Sequence, residues 1–157
     1  MGQALLSLGS NIEPRTHLDQ AVAALRRRFP SVVVSRYYRT AAVGFDGADF
    51  LNAAAIIDSD LEPDDLNQWL HRLEAELGRR RGGPRFSSRT LDIDIVYFDD
   101  RVMTGAGHLQ LPRPELEHAF VLGPLAEIAP GFVDPVRRRP LAELWSAHPD
   151  FGTLQAA

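Results

Sequence analysis

Residues 90–98 read TLDIDIVYF, and this stretch decides the fold because apolar and acidic side chains alternate along it. A period of two is typical of a β-strand whose two faces meet different surroundings. Leu91, Ile93 and Ile95 fall on one face, whereas Asp92 and Asp94 fall on the other. The segment therefore predicts a strand with one face on the hydrophobic core and two carboxylates on the opposite face.

The segments before this strand show which sheet it joins. A helix is predicted from Pro63, with Asp64 and Asp65 in its first turn, to a stop at Gly78. The other predicted elements are a strand at residues 3–8, a helix at residues 16–29, and strands at residues 31–40 and 50–58. The order βαββαβ predicts an α+β, ferredoxin-like core, an antiparallel sheet with two helices packed on one face. Residues 111–130 and 140–148 predict short C-terminal helices that close the flank of the sheet.

Length and composition indicate one domain, residues 1–157, because 45% of the 157 residues are apolar and suffice for one core. There is no cysteine, and all 17 basic residues are arginine, so thiolate sites, a Walker A lysine and Schiff-base chemistry are excluded. The net charge of −4 argues against nucleic-acid binding. The longest apolar run, residues 53–57, is far too short to span a membrane. We expect a cytoplasmic monomer that binds neither nucleic acid nor membrane.

The two carboxylates of the 90–98 strand are the first candidate site. Side chains two residues apart on a strand lie about 7 Å apart, so Asp92 and Asp94 can hold one or two hard cations together. A solvated strand face is the alternative, and it is the better interpretation if the pair stands alone.

An arginine-rich segment runs directly into that strand. Residues 79–88 read RRRGGPRFSS, which predicts a long, flexible loop. Guanidinium groups pair with phosphate oxygens in a bidentate manner, and carboxylate-bound Mg²⁺ bridges the same oxygens, so the combination predicts a polyphosphate site under a closing loop. A solvated basic loop is the alternative, and for Arg80 or Arg85 taken singly it remains the better one. The arginines are Arg79, Arg80, Arg81, Arg85 and Arg89.

A third group is suited to a flat heterocycle. The amide of Asn52 can donate and accept at one edge of such a ring, while Phe50 and Phe120 can stack on its faces. Taken alone, both phenylalanines are better interpreted as core residues. The histidines lack HxxxH and HxH spacing, so a zinc site is not expected; they are His17, His71, His108, His118 and His148.

Five ordered blocks, SLGSN, YYRTAAVG, FLNAA, GRRRGGPRFSSRTLDIDI and AFVLGPLAEIAP, make the chain resemble the 6-hydroxymethyl-7,8-dihydropterin pyrophosphokinases from about residue 4 to residue 130. The resemblance implies an ATP-dependent diphosphokinase of folate biosynthesis. Such an enzyme transfers pyrophosphate from ATP to 6-hydroxymethyl-7,8-dihydropterin and releases AMP, so its partners are ATP and a reduced pterin.

The resemblance also implies roles for individual residues. Asp92 and Asp94 are expected to hold two Mg²⁺ ions, and Glu74 to lie beside the nucleotide. The residues expected to contact the ATP phosphates are Arg79, Arg81 and Arg89. Those expected in catalysis are Arg79, Arg89, Asp92 and Asp94. Those expected to bind the pterin are Thr40, Val43, Phe50, Asn52, Phe86 and Phe120.

Two departures from the family pattern fall before the last block. The family has a histidine after the proline where this chain has Arg113, and an arginine where this chain has His118. Either residue is a candidate to contact the ATP phosphates. Two other functions stay open: a ligand-binding module without catalysis, and an RNA-binding sheet that uses Tyr37, Tyr38 and the arginine loop.

Overall fold

The computed structural model describes residues 1–41, 47–78 and 90–157. The elements in chain order are β1 (Gly2–Ser10), α1 (Pro14–Arg28), β2 (Val32–Val34), β3 (Tyr38–Thr40), β4 (Phe50–Ser59), α2 (Pro63–Glu76), β5 (Asp92–Phe98), β6 (Met103–Thr104), β7 (Gln110–Leu111), a 3-10 helix (Pro114–Glu117), α3 (Ala119–Ile128), α4 (Leu141–Ser146) and β8 (Gln155–Ala156). The expected helix start at Pro63 is confirmed, and Gly78 has the positive φ of 94° that favours glycine just after a helix. The loop predicted at residues 79–88 lies outside the described residues.

An antiparallel sheet with the order β5-β1-β4-β3-β8 forms the centre of the molecule, and β2 also pairs with β4. Helices α1 and α2 cover one face, where Leu18, Leu25, Leu66 and Leu70 pack on strand residues such as Ile93 in the larger hydrophobic core. The ferredoxin-like α+β prediction is therefore confirmed. The pairs β6/β7 and β3/β8 were not expected from the sequence.

The strand predicted at residues 31–40 is two strands, and the prediction of one continuous strand is wrong. From Val34↔Ala55 to Tyr38↔Asn52 the chain advances four residues on the β2 and β3 side but only three along β4, so it contains one extra residue between β2 and β3. The Ser35 hydroxyl accepts a hydrogen bond from the Ala54 N–H (2.9 Å) at this bulge. A one-residue slip moves every later side chain to the opposite face, so Tyr38 leaves the face on which Val34 packs.

The second face of the sheet is covered by α3 and α4. The C-terminal helices were expected at the flank, but α3 packs on Leu5, Ala54 and Val96 in a second hydrophobic core. These apolar side chains on the second face account for the difference, because they need cover. None of the helices within the described part of the chain is long and apolar enough to cross a bilayer.

Candidate active site

One row of paired residues crosses the sheet from β5 to β3. Asp92 in β5 is opposite Gly9 in β1, Gly9 is opposite Asn52 in β4, and Asn52 is opposite Tyr38 in β3. Paired residues of an antiparallel sheet point to the same face, and Ala54, two residues beyond Asn52, belongs to the core under α3. The acidic pair and the amide thus share the second face of the sheet. Two strand spacings separate Asp92 from Asn52, or about 10 Å.

Gly9, in the middle of this row, has no side chain to project from the sheet. A Cβ atom built on Gly9 lies 3.0 Å from Asn52 Oδ1 and 3.8 Å from Phe50 Cδ1. The missing side chain therefore lets the Asn52 amide lie across β1 beside the Phe50 ring. This role was not expected from the sequence, which predicts the first strand only as far as residue 8. The signal available in the sequence was a glycine at the end of an otherwise apolar strand.

Asn52 is held by a defined partner. Its side chain is nearly buried, and Nδ2 donates a hydrogen bond to Thr40 Oγ1 over 2.6 Å. Phe50 is half-buried and is paired with Thr40 across β4 and β3. The structure thus brings together three residues expected at the pterin site. The Asn52 carbonyl oxygen and its second N–H offer an acceptor beside a donor, which suits the edge of a nitrogen heterocycle.

Asp94 lies beside Arg113. Arg113 Nη2 is 3.5 Å from Asp94 Oδ1, and Arg113 Nε is 3.1 Å from Glu115 Oε2. A bulge in β5 supports this arrangement, because Val96 is an extra residue relative to β1 and its carbonyl accepts a hydrogen bond from the Arg113 N–H (3.0 Å). Of the two departures from the family pattern, Arg113 is the one that reaches the acidic pair.

His118 takes a different place. Its ring stacks on that of Phe120, with the centroids 4.8 Å apart and the planes inclined by 12°. His118 precedes the first turn of α3, while Phe120 lies in that turn and packs against the second core. The contact that the structure records for His118 is therefore with a residue expected at the pterin.

Glu74 is fully buried at the outer edge of the sheet. Its Oε2 accepts a hydrogen bond from the backbone N–H of Ile93 over 2.9 Å. Ile93 lies between Asp92 and Asp94, so Glu74 provides a hydrogen-bond acceptor for the β5 backbone between the two aspartates. Its role beside the nucleotide stays a prediction.

Glu127 of α3 was not identified by the sequence analysis. It accepts hydrogen bonds from the Tyr38 hydroxyl, the Arg36 N–H (2.8 Å) and Arg36 Nε (3.2 Å). Burial raises the pKa of the Glu127 carboxyl, but these hydrogen bonds outweigh burial and hold the pKa below its usual value. The available signal was one carboxylate in the otherwise apolar stretch AFVLGPLAEIAP, since a charge on a core helix needs a partner. Through Tyr38, Glu127 ties α3 to the strand beside Asn52.

The donor set fits a hard cation that brings further oxygen ligands with it. Asp92 and Asp94 are both half-buried and lie on one face of β5. Mg²⁺ is commonly bound by one or two carboxylates together with substrate phosphates and water. In residues 1–41, 47–78 and 90–157, no group of three or more metal-binding side chains is found. Two carboxylates on one face of a strand fit such a cation when a phosphate ligand supplies further oxygens.

Several expected site residues fall outside the described part of the chain, and their roles stay predictions. At the phosphate end these are Arg79, Arg81 and Arg89. At the pterin end they are Val43 and Phe86.

Several known proteins are similar to this chain. The family model for 7,8-dihydro-6-hydroxymethylpterin-pyrophosphokinase matches residues 5–130. The 2-amino-4-hydroxy-6-hydroxymethyldihydropteridine pyrophosphokinase of Bacillus subtilis is 44% identical over 130 residues, which cover 80% of this chain and 77% of that protein. The Pseudomonas aeruginosa protein of the same name is 38% identical over 154 residues, which cover 92% and 90% of the two chains.

Solved structures share the fold. A HPPK-DHPS chain crystallised with substrates superposes with a TM-score of 0.71 at 10% identity, covering 93% of this chain and 43% of that chain. The wild-type HPPK-DHPS of Plasmodium falciparum gives 0.69 at 12% identity, covering 92% and 40%. This chain thus spans less than half the length of those two, and at such identities the likeness concerns the fold.

Proposed function

The chain belongs to the 7,8-dihydro-6-hydroxymethylpterin-pyrophosphokinase family, and we propose that its active site is the end of the sheet where Asp92, Asp94 and Asn52 share one face. It is a transferase of folate biosynthesis: it moves pyrophosphate from ATP to the hydroxymethyl group of the dihydropterin, and AMP leaves. The observation that carries the proposal is the row Asp92, Gly9, Asn52, which joins the two candidate subsites on one rigid surface.

We assign the pterin to the Asn52 end of the row. The Asn52 amide forms hydrogen bonds with the edge of the heterocycle, and Thr40 orients that amide. Phe50 and Phe120 stack on the faces of the ring. We also assign Val43 and Phe86 to pterin binding. The separation of about 10 Å between Asn52 and Asp92 leaves room for a bicyclic ring whose hydroxymethyl group points towards the carboxylates.

We assign the phosphates to the Asp92 and Asp94 end, where these two carboxylates would hold two Mg²⁺ ions. When bound, the ions polarise the β-phosphate and neutralise charge on its oxygens. Arg79, Arg81 and Arg89 bind the phosphates, and Arg79 and Arg89 stabilise the charge that grows on the oxygen that leaves with AMP. Arg113 reaches the same end from the 3-10 helix side. Glu74 holds β5 in place from behind.

Positioning supplies most of the acceleration in this assignment. Phosphoryl transfer needs the attacking alcohol in line with the phosphorus, and little covalent chemistry is left to the protein. The Asn52 and Asp92 ends lie on hydrogen-bonded strands of one sheet, so the angle between alcohol and phosphate is set by a rigid element. The hydroxymethyl proton passes to a carboxylate or to water.

We further propose that residues 1–157 act as one domain and as a cytoplasmic monomer that binds neither nucleic acid nor membrane. The acidic net charge of −4 supports the absence of nucleic acid. Light scattering during size-exclusion chromatography tests the monomer, and a mass near twice 17.4 kDa contradicts it.

Calorimetric titration with a non-hydrolysable ATP analogue, with and without Mg²⁺, tests the phosphate assignment. We expect binding that depends on Mg²⁺ in the wild type and that is lost in Asp92→Asn and Asp94→Asn. Asp100→Asn is the matched control, because Asp100 is an exposed carboxylate just beyond β5. Metal-independent binding in the wild type, or unchanged binding in both variants, would place the phosphates elsewhere.

A further inference from the structure

Arg113 lies between two carboxylates at the phosphate end of the site. Its Nη2 is 3.5 Å from Asp94 Oδ1 and its Nε is 3.1 Å from Glu115 Oε2. The backbone on which it stands is fixed by the Val96 carbonyl. The guanidinium therefore lies against a carboxylate that we assign to the metal.

The Arg113 and Glu115 side chains are partly exposed, but the two atoms that face each other lack a well-directed hydrogen bond within the described residues. Arg113 Nε and Glu115 Oε2 are both shielded from solvent, and within the described residues neither has a hydrogen-bond partner of good geometry. The guanidinium is thus held by charge rather than by directed bonds. A buried donor that lacks a well-directed acceptor is stabilised when a better acceptor binds beside it.

We propose that Arg113 is one counter-cation of Asp94 before substrates bind, and that it passes to the nucleotide phosphates when metal and nucleotide enter together. This inference rests on the proposed function. The Asp94 carboxylate interacts less strongly with each of two cations than with one alone. A metal ion that binds without nucleotide therefore has to compete with Arg113 for Asp94. A metal ion that arrives with ATP brings phosphate oxygens, which match the guanidinium fork and receive it.

Two opposite effects of one substitution follow. In Arg113→Gln, Mn²⁺ alone is expected to bind about two- to five-fold more tightly, in keeping with the loss of one partly exposed ion pair. The same variant is expected to bind the Mn²⁺ complex of a non-hydrolysable ATP analogue more weakly, because the phosphates lose a cation. Electron paramagnetic resonance of free Mn²⁺ measures both affinities without turnover.

Glu115→Gln gives the converse result. Without the Glu115 charge, Arg113 moves more fully onto Asp94, and Mn²⁺ alone binds more weakly. Glu117→Gln is the matched control, since Glu117 is an exposed carboxylate at the end of the same 3-10 helix. Arg101→Gln controls for the loss of one positive charge, because Arg101 pairs with Glu62 (2.8 Å) rather than with Asp94.

The outcomes separate this inference from the proposed function. If Arg113→Gln binds Mn²⁺ alone no more tightly than the wild type, or tightens Mn²⁺ and the Mn²⁺–nucleotide complex alike, the counter-cation role is overturned. Equal effects of Glu115→Gln and Glu117→Gln overturn it too, since they indicate the general field of the protein. Asp94→Asn tests the metal assignment by itself: undiminished binding of the Mn²⁺–nucleotide complex removes Asp94 from the site, whatever Arg113 does.

Discussion

The Asn52 side chain donates a hydrogen bond from Nδ2 to Thr40 Oγ1 over 2.6 Å, and this bond links β4 to β3. It fixes which way the amide points, because the donor is turned to Thr40 and the carbonyl oxygen lies over Gly9. The hydrogen-bonding pattern presented to a heterocycle is therefore set before the ligand binds.

Asn52→Ala is expected to weaken pterin binding and to leave ATP affinity nearly unchanged. A heterocycle edge that loses its amide partner is left with unsatisfied groups, which costs about 1–3 kcal/mol. Titration with a pterin analogue and, separately, with a Mg²⁺–nucleotide complex measures both. Asn67→Ala is the control, because Asn67 is a buried amide that donates to Ala106 O, away from the site. Unchanged pterin affinity in Asn52→Ala moves the pocket elsewhere.

Gly9→Ala tests whether pterin binding depends on the absence of a side chain at residue 9. The added Cβ lies 3.0 Å from Asn52 Oδ1, so the amide has to move by a few tenths of an ångström. We expect pterin affinity to fall several-fold while urea unfolding changes by about 1 kcal/mol or less, since alanine is tolerated in a strand. Gly131→Ala is the control, because nothing lies within 4 Å of its added Cβ. Full pterin affinity in Gly9→Ala contradicts the close approach.

The sequence predicted the elements that depend on local patterns. The alternation of Asp92, Ile93 and Asp94 was enough to place two carboxylates on one face, because side-chain direction in a strand follows from neighbouring residues. The apolar stripe of α2 and its end at Gly78 were predictable for the same reason. The meeting of Asn52 and Phe50 with Thr40 was expected only through the resemblance to a family.

The features that the sequence did not predict are non-local. The face to which Tyr38 points depends on one extra residue near Ser35, and that bulge is visible only once β4 is paired with both β2 and β3. The same holds for Val96, whose bulge supports Arg113. The hydrogen bond between Glu127 and Tyr38 depends on how α3 packs on the second face, and the sequence alone does not indicate that packing.

Glu127→Gln is expected to loosen the pterin end without abolishing turnover. The neutral amide loses the charge that pairs with Arg36 and accepts from Tyr38, so we expect a several-fold rise in the KM for pterin, a smaller change in kcat, and a loss of about 1–2 kcal/mol in unfolding free energy. Steady-state kinetics and urea unfolding measure these effects. The control is Glu143→Gln, which breaks an exposed pair with Arg139. Equal changes in the KM values for ATP and pterin contradict a role specific to the pterin end.

Asp134 is expected to make the free energy of unfolding depend on pH in the acidic range. It is fully buried, and its carboxylate accepts hydrogen bonds from the Tyr97 hydroxyl (2.5 Å) and from two backbone N–H groups, of Val136 and Arg137 (2.8 Å each). Burial raises its pKa, but the Tyr97 hydroxyl, these N–H groups and the Arg137 charge together lower it below the usual value. A carboxyl whose pKa is lower in the folded state stabilises the protein above the unfolded pKa of about 4 and ceases to do so as pH falls through the folded pKa.

Urea unfolding at pH 7 and at pH 3 measures this contribution. Asp134→Asn is expected to lose about 1–3 kcal/mol at pH 7 and less at pH 3, where the wild type has begun to lose the same interaction. Asp100→Asn should follow the wild type at both values. A difference between Asp134→Asn and wild type that stays the same at pH 7 and pH 3 shows that the charge of Asp134 is not the source.

Arg113 and His118 are expected to affect different substrates. Arg113 lies 3.5 Å from Asp94, whereas the His118 ring stacks on Phe120 with centroids 4.8 Å apart. We therefore expect Arg113→Ala to raise the KM for ATP and lower kcat, and His118→Ala to raise mainly the KM for pterin, by two- to ten-fold, about the 0.5–1.5 kcal/mol of one aromatic contact. His118→Phe keeps a ring over Phe120 and should restore pterin affinity. If His118→Ala raises the KM for ATP and leaves the KM for pterin unchanged, His118 belongs to the phosphate end, and the stacked geometry does not describe its role in the working enzyme.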